Sequence, residues 1–367
     1  MAMVRLDKLS KNYGDVVALA EVDLEVEEGE FMTLLGPSGS GKTTMLNLIA
    51  GMIAPTSGQI FIDGRDVSTV PPNKRGLGMV FQNYALMPHM TIFENIAFPL
   101  RVRKTANDVV KREVGRVLDL IQLPHVADRK PRELSGGQQQ RIALARAIVY
   151  NPSIILMDEP LGALDKKLRE TMQLELKRIH TELGITMLYV THDQEEALTM
   201  SDRIILLSDG QIEQMGEPDH LYFNPNGLFS ADFLGDSNML DATVESGGET
   251  TSVKTAEGLA LIAKASAISE PGRSVKVMVR PENVSIRRSE ESFDNAMQGK
   301  VIDSIILGGV VKHYIDIGRG TAEEQAMVVE ELNRPGRTSI RPGVEVTLGW
   351  NASDMHVLPL EGRLPDA

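Results

Sequence analysis

An α/β domain over residues 1–235 followed by an all-β domain over 236–367 is the fold the sequence predicts, and three observations carry it. A buried strand, a glycine-rich loop and a helix follow one another across residues 31–50. Apolar strands and amphipathic helices then alternate out to about Gly235, and beyond it only short β-rich runs remain, divided by Gly, Pro and charged turns.

Residues 4–35 read as short strands joined by turns, with one strand at 16–19, an alternating one at 22–26 and a turn at 28–30 into the strand 31–35. Tyr13, beside Gly14, suits either a packed surface or a platform for a base. Gly36-Pro37-Ser38-Gly39-Ser40-Gly41-Lys42-Thr43, followed by Thr44, fits the phosphate-loop template G-x-x-x-x-G-K-[ST], with a strand before it and a helix after it. Its glycines let successive backbone N–H groups converge at the positive end of that helix, which makes a site for a polyanion. Lys42 adds a point charge for the β and γ phosphates, and Thr43 a hydroxyl for Mg²⁺.

Strands are expected at 59–64 and 77–81, with Gln82 at the end of the second, where a side chain can meet a metal or a water, although by itself it reads as a strand cap. A mainly helical insert follows at about 83–130, its helices at 92–100 and 107–123. The segment from Tyr84 to His89 is apolar and aromatic without either periodicity, so it is either buried under the insert or lines a groove for a partner. Leu134-Ser135-Gly136-Gly137-Gln138 opens a helix at 139–150, with Ser135 as N-cap, and forms a second possible anion site that has no lysine. The apolar strand 154–157 delivers two carboxylates, Asp158 and Glu159, at its end. A turn through Asp165 leads into a helix at 166–183, and the strand 186–190 ends at His192; a lone histidine at a strand end is more often structural than catalytic. A hairpin at 204–214 and a helix over 218–234 complete the first domain; the runs 275–279, 311–317 and 344–348 suit a small barrel or sandwich.

Composition narrows the function classes. The 42% hydrophobic and 24% charged fractions are those of an ordinary globular protein, and no apolar run approaches the ~18 residues of a membrane span. The start of the chain lacks the basic-then-apolar pattern of a signal peptide, and the absence of cysteine excludes disulfides and thiolate metal sites. A net charge of −13 argues against broad binding to nucleic acid or anionic lipid, so membrane association is expected to run through a protein partner.

The phosphate loop, Gln82, Ser135-Gly136-Gly137-Gln138, Asp158-Glu159 and His192, in this order, make residues 4 to about 235 resemble the ATPase subunits of ABC transporters. The Ser-Gly-Gly-Gln element discriminates, because phosphate-loop kinases, GTPases and helicases lack it. The resemblance implies an ATP-hydrolysing translocase with Mg²⁺ as cofactor. It implies that Tyr13 stacks on adenine, that residues 36–44 hold the phosphates, and that Thr43, Gln82 and Asp158 serve the metal. Lys42, Gln82, Glu159 and His192 are then catalytic, Glu159 by polarising the attacking water and His192 by contacting the γ phosphate. Ser135, Gly136, Gly137 and Gln138 would bind ATP held by a second copy in a head-to-tail dimer, and Asp165 would connect the two sites. The segment Tyr84 to His89 would receive a cytoplasmic helix of each of two permease subunits, with a solute-binding protein acting indirectly.

The C-terminal portion resembles the OB-like (TOBE) accessory domain of importer ATPases of the maltose, polyamine, ferric iron and sulfate groups, through Phe233-Leu234-Gly235-Asp236-Ser237-Asn238 and Val279-Arg280-Pro281-Glu282. Phe93-Glu94-Asn95-Ile96-Ala97-Phe98 and Asn238-Met239 lean toward the polyamine branch, with sugar, ferric iron, sulfate or an amino-acid derivative as alternative cargo. The expected location is the cytoplasmic face of the inner membrane, peripheral through the permease. A soluble ABC ATPase acting on nucleic acid or ribosomes is the competing class. It is disfavoured because residues 236–367 hold only Phe293, Tyr314 and Trp350 as aromatics and carry more acid than base. A third reading makes the C-terminal domain a regulatory sensor.

Overall fold

Every residue of the strand Phe31–Leu35 is buried, because a parallel strand at the centre of a sheet is covered on both faces. In the computed structural model, which describes residues 2–287, 292–318, 326–334 and 340–364, the chain divides into two compact units, Met1–Leu221 and Tyr222–Ala367.

The first unit runs through β1 (Ala2–Tyr13), β2 (Val16–Glu27), β3 (Phe31–Leu35), α1 (Lys42–Ala50), β4 (Ser57–Ile62), β5 (Arg65–Asp66) and β6 (Gly78–Val80). It continues with α2 (Ile92–Val102), α3 (Asn107–Leu120), α4 (Gly136–Ile148), β7 (Ile154–Asp158), α5 (Lys166–Leu183), β8 (Thr186–Thr191), α6 (Gln194–Met200), β9 (Arg203–Ser208) and β10 (Gln211–Gly216). A six-stranded sheet in the order β10-β9-β3-β8-β7-β6 is parallel except for β10, and a separate antiparallel sheet has the order β2-β1-β4-β5.

Alternation along the central strands divides the core in two. Met32 and Leu34, Ile154 and Leu156, and Leu188 and Val190 face the antiparallel sheet and α1. Phe31, Ile155 and Met157, and Met187 and Tyr189 face the helices α2 to α5. The carboxyl ends of β3, β6, β7 and β8 therefore emerge side by side, which places the phosphate loop, Gln82, Asp158 and His192 at one edge.

Two local expectations are corrected. The strands expected at 16–19 and 22–26 are one strand, β2. Its pairing with β1 slips between Leu9↔Val22 and Lys11↔Leu19, so the buried side chains Leu19 and Val22 stand three apart and the alternation breaks without the strand ending. The helix expected over 218–234 is two, α7 (Pro218–Phe223) and α8 (Leu228–Phe233), with Pro225 and Gly227 in the interruption. The division between the units thus falls inside α7, while α8, expected to belong to the first domain, packs through Ala231 on Met278 and Leu358 of the second.

The second unit continues with β11 (Asn238–Ser246), β12 (Thr250–Thr255), β13 (Ala260–Lys264), β14 (Ser274–Val279), β15 (Ser285–Ile286), β16 (Asn295–Ile306), β17 (Val310–Asp316), β18 (Met327–Leu332), β19 (Glu345–Trp350) and β20 (Met355–Pro359). Two five-stranded antiparallel sheets, β13-β12-β11-β14-β20 and β15-β19-β16-β17-β18, enclose one core around Trp350, Val277 and Ile315.

Candidate active site

Four elements build the first cluster. The phosphate loop turns between β3 and α1 at two glycines whose neighbours leave no room for a side chain. A β-carbon on Gly36 would stand 2.1 Å from the Leu207 carbonyl oxygen, and one on Gly41, where φ is +99°, 2.8 Å from that of Ala18. Lys42 opens α1 and folds back, its ammonium donating to the carbonyl oxygens of Gly36 (2.8 Å) and Pro37 (2.7 Å). Burial lowers its pKa, and the carboxylates of Glu159 and Asp158 oppose that shift.

Thr43 Oγ1 donates to Asp158 Oδ1 at 3.1 Å, so the hydroxyl from α1 and the carboxylate from the end of β7 share one point. Burial raises the Asp158 pKa against the hydrogen bond from Thr43. The next residue is bracketed: Glu159 Oε2 accepts from Gln82 Nε2 at 3.2 Å, and Oε1 lies 3.2 Å from His192 Nδ1. Its φ is +42°, a left-handed conformation that costs a non-glycine residue about 1–3 kcal/mol, and its N–H donates to Val190 O at 3.0 Å.

The segment after Gln82 is pinned from two sides. Tyr84 and Ala85 also have positive φ, and their carbonyl oxygens accept from Arg146 Nη2 (2.7 Å) and Nη1 (2.6 Å). Asn95, fully buried in α2, donates to the carbonyls of Met87, Met90 and Thr91 and accepts from Met87 N. Beside this segment is a groove of about 370 Å³ whose walls include Phe81, Ala85, Met87, Phe98 and Tyr150.

A second cluster forms at the mouth of α4. Ser135 Oγ accepts from Gln138 N at 3.4 Å and Gln138 Oε1 from Ser135 N at 3.0 Å, a reciprocal cap. Asp165, which caps α5 by accepting from Leu168 N at 3.0 Å, begins the neighbouring element. β-Carbons on Gly136 and Gly137 would meet Leu164 and Leu168 at 3.4 and 2.9 Å. Tyr13 lies at the end of β1, 51% exposed, with Lys11 Nζ 4.9 Å from its ring centre.

The residues fit the groups the sequence implied. The tight glycine turns at Gly36 and Gly41 and the Lys42 ammonium folded against the loop suit a nucleotide's phosphates; two hard oxygen donors 3.1 Å apart suit Mg²⁺. Arg146, Arg169 and Glu196, which help hold these pieces, were not singled out from the sequence, and Asn95 entered only as part of the run 93–98. Arg146 reaches Tyr84 and Ala85, 62 and 61 residues away, while Asn95 and Glu196 bond near neighbours through backbone carbonyls and hydroxyls, and none of these contacts leaves a motif in the sequence.

Comparison with known proteins adds the family. An ABC transporter model matches residues 19–162, and a TOBE domain model matches residues 277–358. The "Spermidine/putrescine import ATP-binding protein PotA" of Rubrobacter xylanophilus is 45% identical, over 98% of this chain and 94% of its own length. The chain belongs to the ABC transporter family. It is an ATP-binding subunit that hydrolyses ATP, with a TOBE domain at its C-terminal end. Among solved structures, cbiO1 of Clostridium perfringens, part of the ABC transporter complex cbiONQ, superposes with a TM-score of 0.57 at 27% identity. That match covers 60% of this chain and 90% of cbiO1. The ATP-binding cassette MJ0796, a dimer in a post-hydrolysis state bound to ADP and Pi, has a TM-score of 0.52 at 37% identity, over 59% of this chain and 99% of its own. Among the described residues no helix is long and apolar enough to cross a membrane.

Proposed function

We propose that the chain is the ATP-hydrolysing subunit of a polyamine importer and that it works as a head-to-tail pair beneath two permease subunits at the cytoplasmic face of the membrane. The observation that carries the chemistry is Glu159, strained and held between Gln82 and His192 beside the Thr43–Asp158 pair. Near full-length similarity to the Rubrobacter protein supports the cargo, and the dimeric cassette supports the pairing.

In this reading the loop N–H groups and Lys42 hold the β and γ phosphates, and Tyr13 takes the adenine. Thr43, Asp158 and Gln82 are the residues that would hold Mg²⁺, which when bound neutralises phosphate charge. Glu159 orients the attacking water and accepts its proton, while His192 keeps Glu159 and the γ phosphate in register; positioning and charge compensation supply most of the rate. Ser135, Gly136, Gly137 and Gln138 close on the ATP of the second copy, with Asp165 between the two sites. The groove beside Tyr84 to His89 receives the permease, so the polar contact at Gln82 and the docking surface belong to one pinned segment. A solute-binding protein delivers the cargo on the other side.

The test replaces Glu159 with Gln in the producing cell. Uptake of labelled spermidine and putrescine is expected to fall at least about 100-fold, the range for loss of a general base. The purified variant should keep ATP and run as a dimer. Polyamine uptake left intact, with uptake of a sugar, ferric iron or sulfate lost instead, would reassign the cargo; a monomeric variant with full turnover would sink the mechanism.

A further inference from the structure

One side chain joins the turn that carries Asp165 to the turn that carries His192. Arg169, in the first turn of α5, donates from Nη2 to the Leu164 carbonyl at 3.1 Å and from Nη1 to Asp193 Oδ2 at 2.8 Å. Its Nε lies 3.7 Å from Oε1 of Glu196, whose side chain is 3% exposed. The other Glu196 oxygen accepts from the Tyr189 and Thr191 hydroxyls, both at 2.7 Å. Asp193 closes the ring, its Oδ1 accepting from Glu196 N at 3.2 Å and its own N–H donating to Thr191 Oγ1 at 3.0 Å.

His192 sits between the two clamped residues Thr191 and Asp193. Its ring is 57% exposed and reaches Glu159 Oε1 at 3.2 Å, so the backbone on either side largely sets where the ring stands. A guanidinium donates in fixed, coplanar directions, which a lysine ammonium cannot reproduce. Leu164 O and Asp193 Oδ2 are therefore held at a fixed separation, and neither turn can shift without breaking a bond to the other or moving it. The buried Glu196 carboxylate keeps the guanidinium in place by charge.

We propose that Arg169 is a positioning residue that couples the Asp165 turn to His192, making hydrolysis at one site of the dimer depend on closure at the other. This rests on the dimer reading above and names the strut that reading lacks.

The experiment measures turnover against ATP concentration for the full chain and for Arg169→Lys and Arg169→Ala, with dimerisation of each followed by light scattering. The unaltered chain is expected to be cooperative, with a Hill coefficient well above one. In Arg169→Lys, which still balances the Glu196 charge, the thermal midpoint should stay near that of the unaltered chain. Its Hill coefficient should fall toward one and kcat about tenfold, with KM changed less than about twofold. Should Arg169→Ala not fold, the paired neutral variant Arg169→Met with Glu196→Gln removes the strut without leaving a buried charge, and it is expected to fold and to hydrolyse ATP without cooperativity. Undiminished cooperativity in a folded Arg169→Lys or paired variant overturns the proposal alone. A non-cooperative, monomeric unaltered chain overturns the dimer reading and the proposal with it.

Discussion

Glu159 shows how much of a site one residue type can hide. The sequence places its carboxylate at a strand end, but not the positive φ that aims it, because that conformation is imposed by the Val190 carbonyl on the adjacent strand. The phosphate loop was legible for the opposite reason, since its glycines are themselves the backbone rule. His356 in β20 was not legible at all as a titrating group. It is 9% exposed, and burial, together with the charges of Lys264 and Arg280, pushes its pKa down to about 4. An unfolded chain takes up that proton near the ordinary 6.5, so acidification protonates the unfolded state first, and stability is lost as pH falls from about 6.5 to about 4. At 1.36 kcal/mol per unit the loss approaches about 3 kcal/mol. Chemical denaturation of the second unit at pH 7 and pH 4.5 should show that slope, and His356→Gln should flatten it; an unchanged slope in the variant would place the acid sensitivity elsewhere.

At the scale of elements, periodicity gave helices and strands wherever the chain followed one face, as in α5, found with the expected bounds. It failed at the slip within β1 and β2 and at the Pro225 and Gly227 break, where the partner strand or a local breaker overrides the pattern. The Tyr84 to His89 segment, which has neither period, is ordered instead by side chains borrowed from α2 and α4. Asn95 makes four hydrogen bonds to it and its flank from a fully buried position. Asn95→Ala should therefore cost about 2–4 kcal/mol, the range for a buried network left with unsatisfied backbone groups. Because the same segment directly follows Gln82, turnover should fall along with the denaturation midpoint. If Asn95→Ala unfolded at the midpoint of the unaltered chain, Arg146 alone would suffice to hold the segment, and the pinning from α2 would be redundant.

For the whole molecule, the question is where the second unit begins. The change from alternation to short β runs marks Gly235, since composition reports what a segment is made of and not what it packs against. Arg280 answers by geometry. Its guanidinium, 2% exposed, donates from Nη1 to the carbonyls of Ala231 (2.9 Å), Gly235 (3.0 Å) and Asp236 (3.1 Å) and to Ser237 Oγ (2.8 Å), and from Nη2 to Tyr222 O (3.0 Å). It also lies 4.4 Å from the centre of the Tyr222 ring. A fragment beginning at Tyr222 keeps all of these partners and the Ala231 contact with Met278 and Leu358; one beginning at Asp236 loses the ring, three of the carbonyls and α8. The buried guanidinium is then left short of acceptors, a defect worth about 3–5 kcal/mol, which is a large share of what a domain of this size has in reserve. The fragment 222–367 is expected to melt cooperatively in circular dichroism, and 236–367 to melt at a far lower temperature or not to fold. Equal melting temperatures would mean that the helix and the arginine cage belong to the linker, and that the unit is defined by its β core alone.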